Sequence, residues 1–246
     1  MDQKLQLDKD EGRELVNATE YRCIVGCLRY LTHSLPDITY VVGVVSRFME
    51  QPTVKHKQAV KQILRYIKGT ISYGLRYTRN SYRNALSGYI DTDMAGDVVD
   101  RRSTGGMYFY LNGNLISWTS QKQRVIALSS CEAEYMAATL AACQSIWLRG
   151  LLRKVLRQQV GSVILYIDNK SAIELMKNPV LHGRSKHIDV RLTDEAYNFQ
   201  SALNLPQVSD VRFTRRYVRC MEVQERALGV IIHSEQCNQV IAGIKL

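Results

Sequence analysis

Three carboxylates stand at comparable places along this chain. Asp91 lies near the end of an apolar run in GYIDTDMAGD (88–97), Glu134 falls in the first turn of a long helical pattern, and Asp168 closes a second apolar run, SVILYID (162–168). Aspartate is depleted from strands, so a carboxylate at a strand end asks for a cation or a capping role. If the two strands lie side by side and the helix packs across their ends, the three acidic groups converge. Like charges that close raise one another's pKa, and burying them costs several kcal/mol each unless cations compensate. Hard oxygen donors with no histidine or cysteine beside them favour Mg²⁺ or Mn²⁺ over zinc. Two such ions roughly 4 Å apart would clamp the attacking and leaving oxygens of an in-line displacement, which makes the substrate a phosphodiester. The plainer alternative at each position is a turn or N-cap aspartate and a first-turn glutamate that favours the helix dipole.

The elements that must position these groups are legible from periodicity. ALSGYIDT (85–92) reads as a strand, STGGMYFYLNGN (103–114) as a second strand running into an Asn-Gly turn, LISWTSQ (115–121) as a third returning antiparallel, and VIALS (125–129) as a short extended piece. CEAEYMAATLAACQSIWLRGLLRKVLR (131–157) carries the longest helical pattern, interrupted in composition by Gly150. SVILYID suits a strand buried on both faces, and NKSAIELMKN (169–178) a short helix closed by Asn178 and Pro179. An antiparallel meander followed by helix, strand and helix gives an α/β fold with a mixed sheet.

Upstream the pattern is helical. TEYRCIVGCLRYLTHSL (19–35), PDITYVVGVVSRFMEQ (36–51) and TVKHKQAVKQILRYIKG (53–69) each open with a capping residue or proline and close at glycine or proline. The polar stretch TRNSYRN (78–84) separates this part from the strands, so the expected division is a helical module over 1–78, an α/β domain over 83–210, and a basic then apolar tail over 211–246.

With 33 Lys and Arg against 23 Asp and Glu, the net charge of +10 points to a polyanionic partner. The third helical segment carries Lys55, Lys57, Lys61, Arg65 and Lys68 with no acidic residue among them, opposite an apolar stripe of Val60, Ile63, Leu64 and Ile67. That face is either a phosphate-tracking surface or a solvated one. Arg101, Arg102 and Lys122 on the meander have the same two readings. The six cysteines form no CxxC pair and read as reduced, partly buried thiols. No apolar leader and no membrane-length segment is present, so a soluble, unsecreted protein is expected. Trp118 and Trp147 read as core, with base stacking the minor reading, and Asn169 as a helix cap or a residue orienting Asp168.

The successive segments GYIDTDMAGD, RRSTGGMYFYLNGNLISWTSQKQ, VIALSSCEAEYMAA, LYIDNKSAIELMKNP and HGRSKHIDVR resemble the ordered motifs of the ribonuclease H domain in the Pol polyprotein of copia-type LTR retrotransposons. TEYRCIVGCLRYLTHSLPDI and SRFMEQPTVKHKQAVKQILRYIKGT resemble the end of that polyprotein's reverse transcriptase, its thumb and connecting region, and the match covers about residues 18–191. The resemblance implies an RNase H-like mixed sheet with flanking helices, preceded by a small all-α module. It implies metal-dependent cleavage, with two Mg²⁺ or Mn²⁺ ions, of the RNA strand of an RNA:DNA hybrid. Asp91 matches the first catalytic carboxylate of the family and Asp168 the third. Glu134 matches the glutamate through the following YMAA, with Glu132 as the alternative. QVSDVRFTR resembles the closing motif and proposes Asp210 as the fourth, with Asp189 as the alternative. His187, beside Lys186 and Asp189, would contact hybrid phosphates or assist product release, with a structural histidine the plainer reading, and the location would be the cytoplasm, within a virus-like particle, or the nucleus.

The chain also departs from the family pattern. Met94 stands where the family usually has tryptophan, and LTDEAYNFQSALNLP (192–206) is shorter than, and unlike, the helix and strand that should precede the closing motif. A strand missing there would leave an uncovered sheet edge. The reverse transcriptase palm is absent, which implies no polymerisation by this chain. The alternative function is a catalytically inactive nucleic-acid-binding module or a decayed transposon relic.

Overall fold

The computed structural model describes residues 7, 14–79, 85–157, 159–177 and 211–215. The chain forms two compact units that part between Arg76 and Tyr77. Among the described residues no helix is long and apolar enough to cross a membrane.

The first unit is helical. Helix α1 (Ala18–Leu31) starts where the Asn17 carboxamide oxygen accepts the N–H groups of Thr19 and Glu20, at 2.9 and 3.2 Å. Its inner face, Tyr21, Val25 and Leu28, repeats at helical spacing and is buried. Where one helix is expected over 36–51, the chain forms a 3₁₀ turn (Pro36–Ile38), a short helix α2 (Thr39–Val45) and a second 3₁₀ turn (Ser46–Phe48). The β-branched valines and Gly43 are poor helix formers, and the Ser46 hydroxyl donates to the Val42 carbonyl at 2.6 Å, tightening the end. Helix α3 (Val54–Gly69) opens on Thr53, whose N–H donates to His56 Nδ1 at 3.1 Å. The His56 ring is buried and stacked on Phe48 with centroids 4.1 Å apart, so it is core. Ala59, Val60 and Ile63 complete the cluster with Ile38, Val42 and Val45. Within it the Tyr21 hydroxyl donates to the Val45 carbonyl at 2.9 Å, and burial pushes its pKa up to about 12.

The second unit is built on a five-stranded sheet in the order β3-β2-β1-β4-β5. Strands β1 (Leu86–Thr92), β2 (Thr104–Leu111) and β3 (Asn114–Lys122) form the antiparallel meander. Strand β4 (Val163–Ile167) pairs parallel to β1, and β5 (Val211–Arg215) parallel to β4. Helix α4 (Ser130–Leu156) packs across β1, β2 and β4, and α5 (Lys170–Lys177) follows β4. This is the RNase H-like arrangement of a mixed sheet with flanking helices.

The core follows from alternation along the strands. Leu86, Ile90, Phe109, Val163, Leu165, Ile167 and Val211 face α4, which answers with Ala133, Met136, Ala137, Ala138, Ala141 and Ala142. Each large side chain buried there contributes about 1.5–3 kcal/mol. The alanines let the helix axis come close: a Cβ added to Gly105 would stand 3.4 Å from Ala137 Cβ. Gly88 is needed more strictly, since its added Cβ would lie 2.6 Å from Leu165 Cδ2 and 2.8 Å from Phe109 Cε1.

Three further expectations are corrected. The basic tail from 211 yields a strand, β5, because V-R-F-T-R alternates apolar and polar residues with the period of a half-buried strand, which its arginines disguise. VIALS (125–129) is not a strand, although Ala127 is buried and Val125 packs on the core. The helical reading of 131–157 holds, since α4 runs unbroken through Gly150. Trp147 is 59% exposed rather than core, while Trp118 is half-buried in β3.

Candidate active site

Strands β1 and β4 pair through Ser87↔Ile164, Gly88↔Leu165 and Tyr89↔Tyr166. Two residues beyond that last rung on each strand stand Asp91 and Asp168, both half-buried. Asp91 pairs on its other side with Gly106 of β2, a residue with no side chain to crowd it.

The first turn of α4 separates the two candidate glutamates. The Ser129 hydroxyl caps the helix by accepting the Glu132 N–H at 3.1 Å, and Glu132 Oε2 reaches back to accept the Leu128 N–H at 2.7 Å. Glu132 is therefore a fully buried cap. Glu134 is 5% exposed, and its carboxyl accepts a backbone hydrogen bond from Thr92 while Oε2, also buried, has no hydrogen-bond partner among the described residues. Burial, then the charges of Asp168 and Asp91, push its pKa up to about 8 against the opposing Thr92 hydrogen bond. The two aspartates thus act electrostatically on the one glutamate.

The donor chemistry fits a hard divalent cation, because the oxygens are carboxylate and one of them is buried without a partner. Among the described residues no group of three His, Cys, Asp or Glu side chains is gathered tightly enough to hold an ion.

The second aspartate of IDTD serves the backbone. Asp93 Oδ1 accepts the Thr104 N–H at 2.6 Å, and the Asp93 N–H donates to the Thr104 carbonyl at 3.2 Å. Further along this β1–β2 loop, Asp97 Oδ1 accepts the Val99 and Asp100 N–H groups at 2.9 and 3.3 Å. Lys122 Nζ, from the end of β3, reaches Asp97 Oδ2 at 2.6 Å and Asp100 Oδ2 at 2.8 Å. Burial alone would raise the Asp97 pKa, but Lys122 and the two N–H groups hold it at about 2. Arg102 Nε lies 3.5 Å from Asp100 Oδ2, and Arg101 is exposed in left-handed backbone at φ 57°. Of the three meander cations, Lys122 is therefore bound into the loop.

On α3, Lys61 and Arg65 are exposed, Lys55 is half-buried, and Lys57 Nζ pairs with Glu20 Oε2 at 2.8 Å. Asn169 caps α5 by accepting the Ala172 N–H at 3.1 Å. Asp210, Asp189, Lys186 and His187 lie outside the described residues.

Two contributors escaped sequence reasoning. Gln123 is buried and donates from Nε2 to the Ala133 carbonyl at 2.9 Å, tying the end of β3 to the turn that carries Glu134. Nothing in its polar surroundings marks it in sequence. Asp97 carried a signal in the short polar loop, where aspartate accepting the N–H two residues on is a common turn device.

The chain is 46% identical over 172 residues, 70% of its length, to the retrovirus-related Pol polyprotein from transposon TNT 1-94 of Nicotiana tabacum. It is 41% identical over 179 residues, 73% of its length, to that of transposon RE1 of Arabidopsis thaliana. The chain belongs to the retrovirus-related Pol polyproteins of copia-type transposons. It spans 13% and 12% of the length of those two Pol relatives. It is also 48% identical over 129 residues to the secreted RxLR effector protein 161 of Plasmopara viticola, covering 52% of this chain and 90% of that one. No family profile matches. The prototype foamy virus protease–reverse transcriptase overlaps 67% of this chain and 20% of its own at 11% identity, with a TM-score of 0.35 that supports no inference.

Proposed function

We propose that this Pol chain is a metal-dependent endoribonuclease, a hydrolase that cuts the RNA strand of RNA:DNA hybrids. One observation carries the reading: Glu134 is a buried carboxyl whose pKa burial and two neighbouring aspartates raise to about 8. Carboxylates brought this close call for compensating positive charge, which cations would supply.

Asp91, Glu134 and Asp168, with Asp210 as the fourth, would be drawn together to hold two Mg²⁺, or Mn²⁺ in their place. Bound there, the ions would supply an activated water and stabilise the leaving 3′ oxygen. Glu134 would bind as the carboxylate, releasing its proton to solvent. The Thr92 N–H holds its carboxyl while Oε2 stays available. Recognition of the hybrid would come from duplex shape and RNA 2′-hydroxyls rather than base edges, so cutting would be largely independent of sequence. Lys55, Lys61 and Arg65, with Arg101, Arg102, Lys186 and His187, would neutralise phosphates. The remainder of a Pol polyprotein is the other partner, and the setting would be a cytoplasmic virus-like particle or the nucleus.

The test is cleavage of a labelled RNA:DNA hybrid by the purified chain with Mg²⁺. Product should appear with wild type, vanish with EDTA, and fall at least a hundredfold in Asp168→Asn. An intact wild-type chain that binds the hybrid yet yields no metal-dependent product would reject the enzyme and leave an inactive duplex-binding module.

A further inference from the structure

The face of the sheet opposite α4 carries an aromatic pair just below the candidate carboxylates. Tyr89 of β1 and Tyr166 of β4 occupy the last rung of the parallel ladder, with ring centroids 4.8 Å apart and planes inclined by 22°. Tyr110 of β2 meets Tyr89 edge-on at 5.5 Å and 86°. Side chains alternate faces along a strand, so Asp91 shares the Tyr89 face, and Asp168 follows Tyr166 by the same two residues. Beyond this rung β1 remains paired to β2 through Thr92↔Gly105, whereas its pairing with β4 has ended. The two aspartates thus stand where the parallel strands are released from each other. The stacked rings join the two strands on the rung next to that release.

We propose that the Tyr89–Tyr166 stack is the positioning device that sets the separation of Asp91 and Asp168 for divalent cations. Residues that hold metal ligands in place are worth about 10–100-fold in metal affinity when removed. The proposed role belongs to the ring planes, which phenylalanine keeps. The inference rests on the reading of Asp91 and Asp168 as cation ligands.

The experiment is a calorimetric titration with Mn²⁺ alone on wild type, Tyr166→Val, Tyr166→Phe and Asp91→Asn, with folding checked by circular dichroism. Valine keeps strand propensity but removes the stack, and phenylalanine keeps the stack. The expected result is Mn²⁺ affinity at least tenfold weaker in Tyr166→Val, within twofold of wild type in Tyr166→Phe, and lost in Asp91→Asn. Should Tyr166→Val fail to fold, Tyr89→Leu is the second variant, with the same expected loss and rescue by Tyr89→Phe. Wild-type affinity in the folded valine or leucine variant overturns the positioning role while leaving the ligand reading standing. Absence of saturable Mn²⁺ binding by wild type overturns both.

Discussion

Lys122 Nζ sits 2.6 Å from Asp97 Oδ2, an ion pair that ties the end of β3 to the loop leaving the strand of Asp91. Asp97 is 9% exposed, and removing its charge leaves the lysine with Asp100 alone, at 2.8 Å. Asp97→Asn should cost about 1–3 kcal/mol, read by urea unfolding. The pair also has an acid limit. The Asp97 pKa is lowered from 3.8 to about 2, so its contribution is present above pH 3.8 and lost as pH falls through about 2. Lys122→Met should be destabilised in the same way, with no change in the salt dependence of duplex binding.

Glu134 should reverse that pH dependence. Its folded-state pKa is raised from 4.5 to about 8, so the metal-free fold favours the protonated form. That favourable contribution is complete below pH 4.5 and lost as pH rises through about 8. Thermal melts of the metal-free chain should fall across this window, and Glu134→Gln should flatten the fall, gaining on the order of 2 kcal/mol at pH 9. The same variant should abolish hybrid cleavage. A wild-type melt equally stable at pH 5 and pH 9, once other groups are matched by the variant, would contradict the coupling.

Gly88→Ala should be unusually costly for a one-carbon change. The new methyl meets Leu165 and Phe109 in the packed centre of the sheet, and overpacking of this kind costs about 1–3 kcal/mol. Chemical denaturation of the variant is the measurement, and a loss below roughly 0.5 kcal/mol, the size of ordinary surface changes, would show that the core yields.

The exposed cations of α3 should behave differently from Lys122. If Lys61 and Arg65 meet phosphates, each replacement by alanine should weaken hybrid binding and lower the slope of log affinity against log salt by about one. Asp168→Asn should leave that slope unchanged while removing cleavage. A slope that stays constant in Lys61→Ala and Arg65→Ala would assign this face to solvation.

The elements around Asp91, Glu134 and Asp168 were legible because each strand is a compact apolar run and the helix is long enough for its period to dominate. Strand β5 was hidden by the arginines at 212 and 215 in only five residues. The segment 36–51 reads as one helix because its apolar content suits either outcome, and the local competition of valines, Gly43 and Ser46 is settled by packing. Lys122 illustrates a deeper limit. Its partners Asp97 and Asp100 are more than twenty residues away, and only the β-hairpin brings them together. Sequence could propose a cation there, but not that two carboxylates already hold it.

The position of Trp147 has a practical consequence for optical work. The chain has two tryptophans, and Trp147 faces solvent on α4 while Trp118 is half-buried in β3. Replacing Trp147 with phenylalanine removes a water-quenched emitter at little structural cost, and the remaining indole becomes a single fluorescent reporter of whether the hairpin around Lys122 is closed.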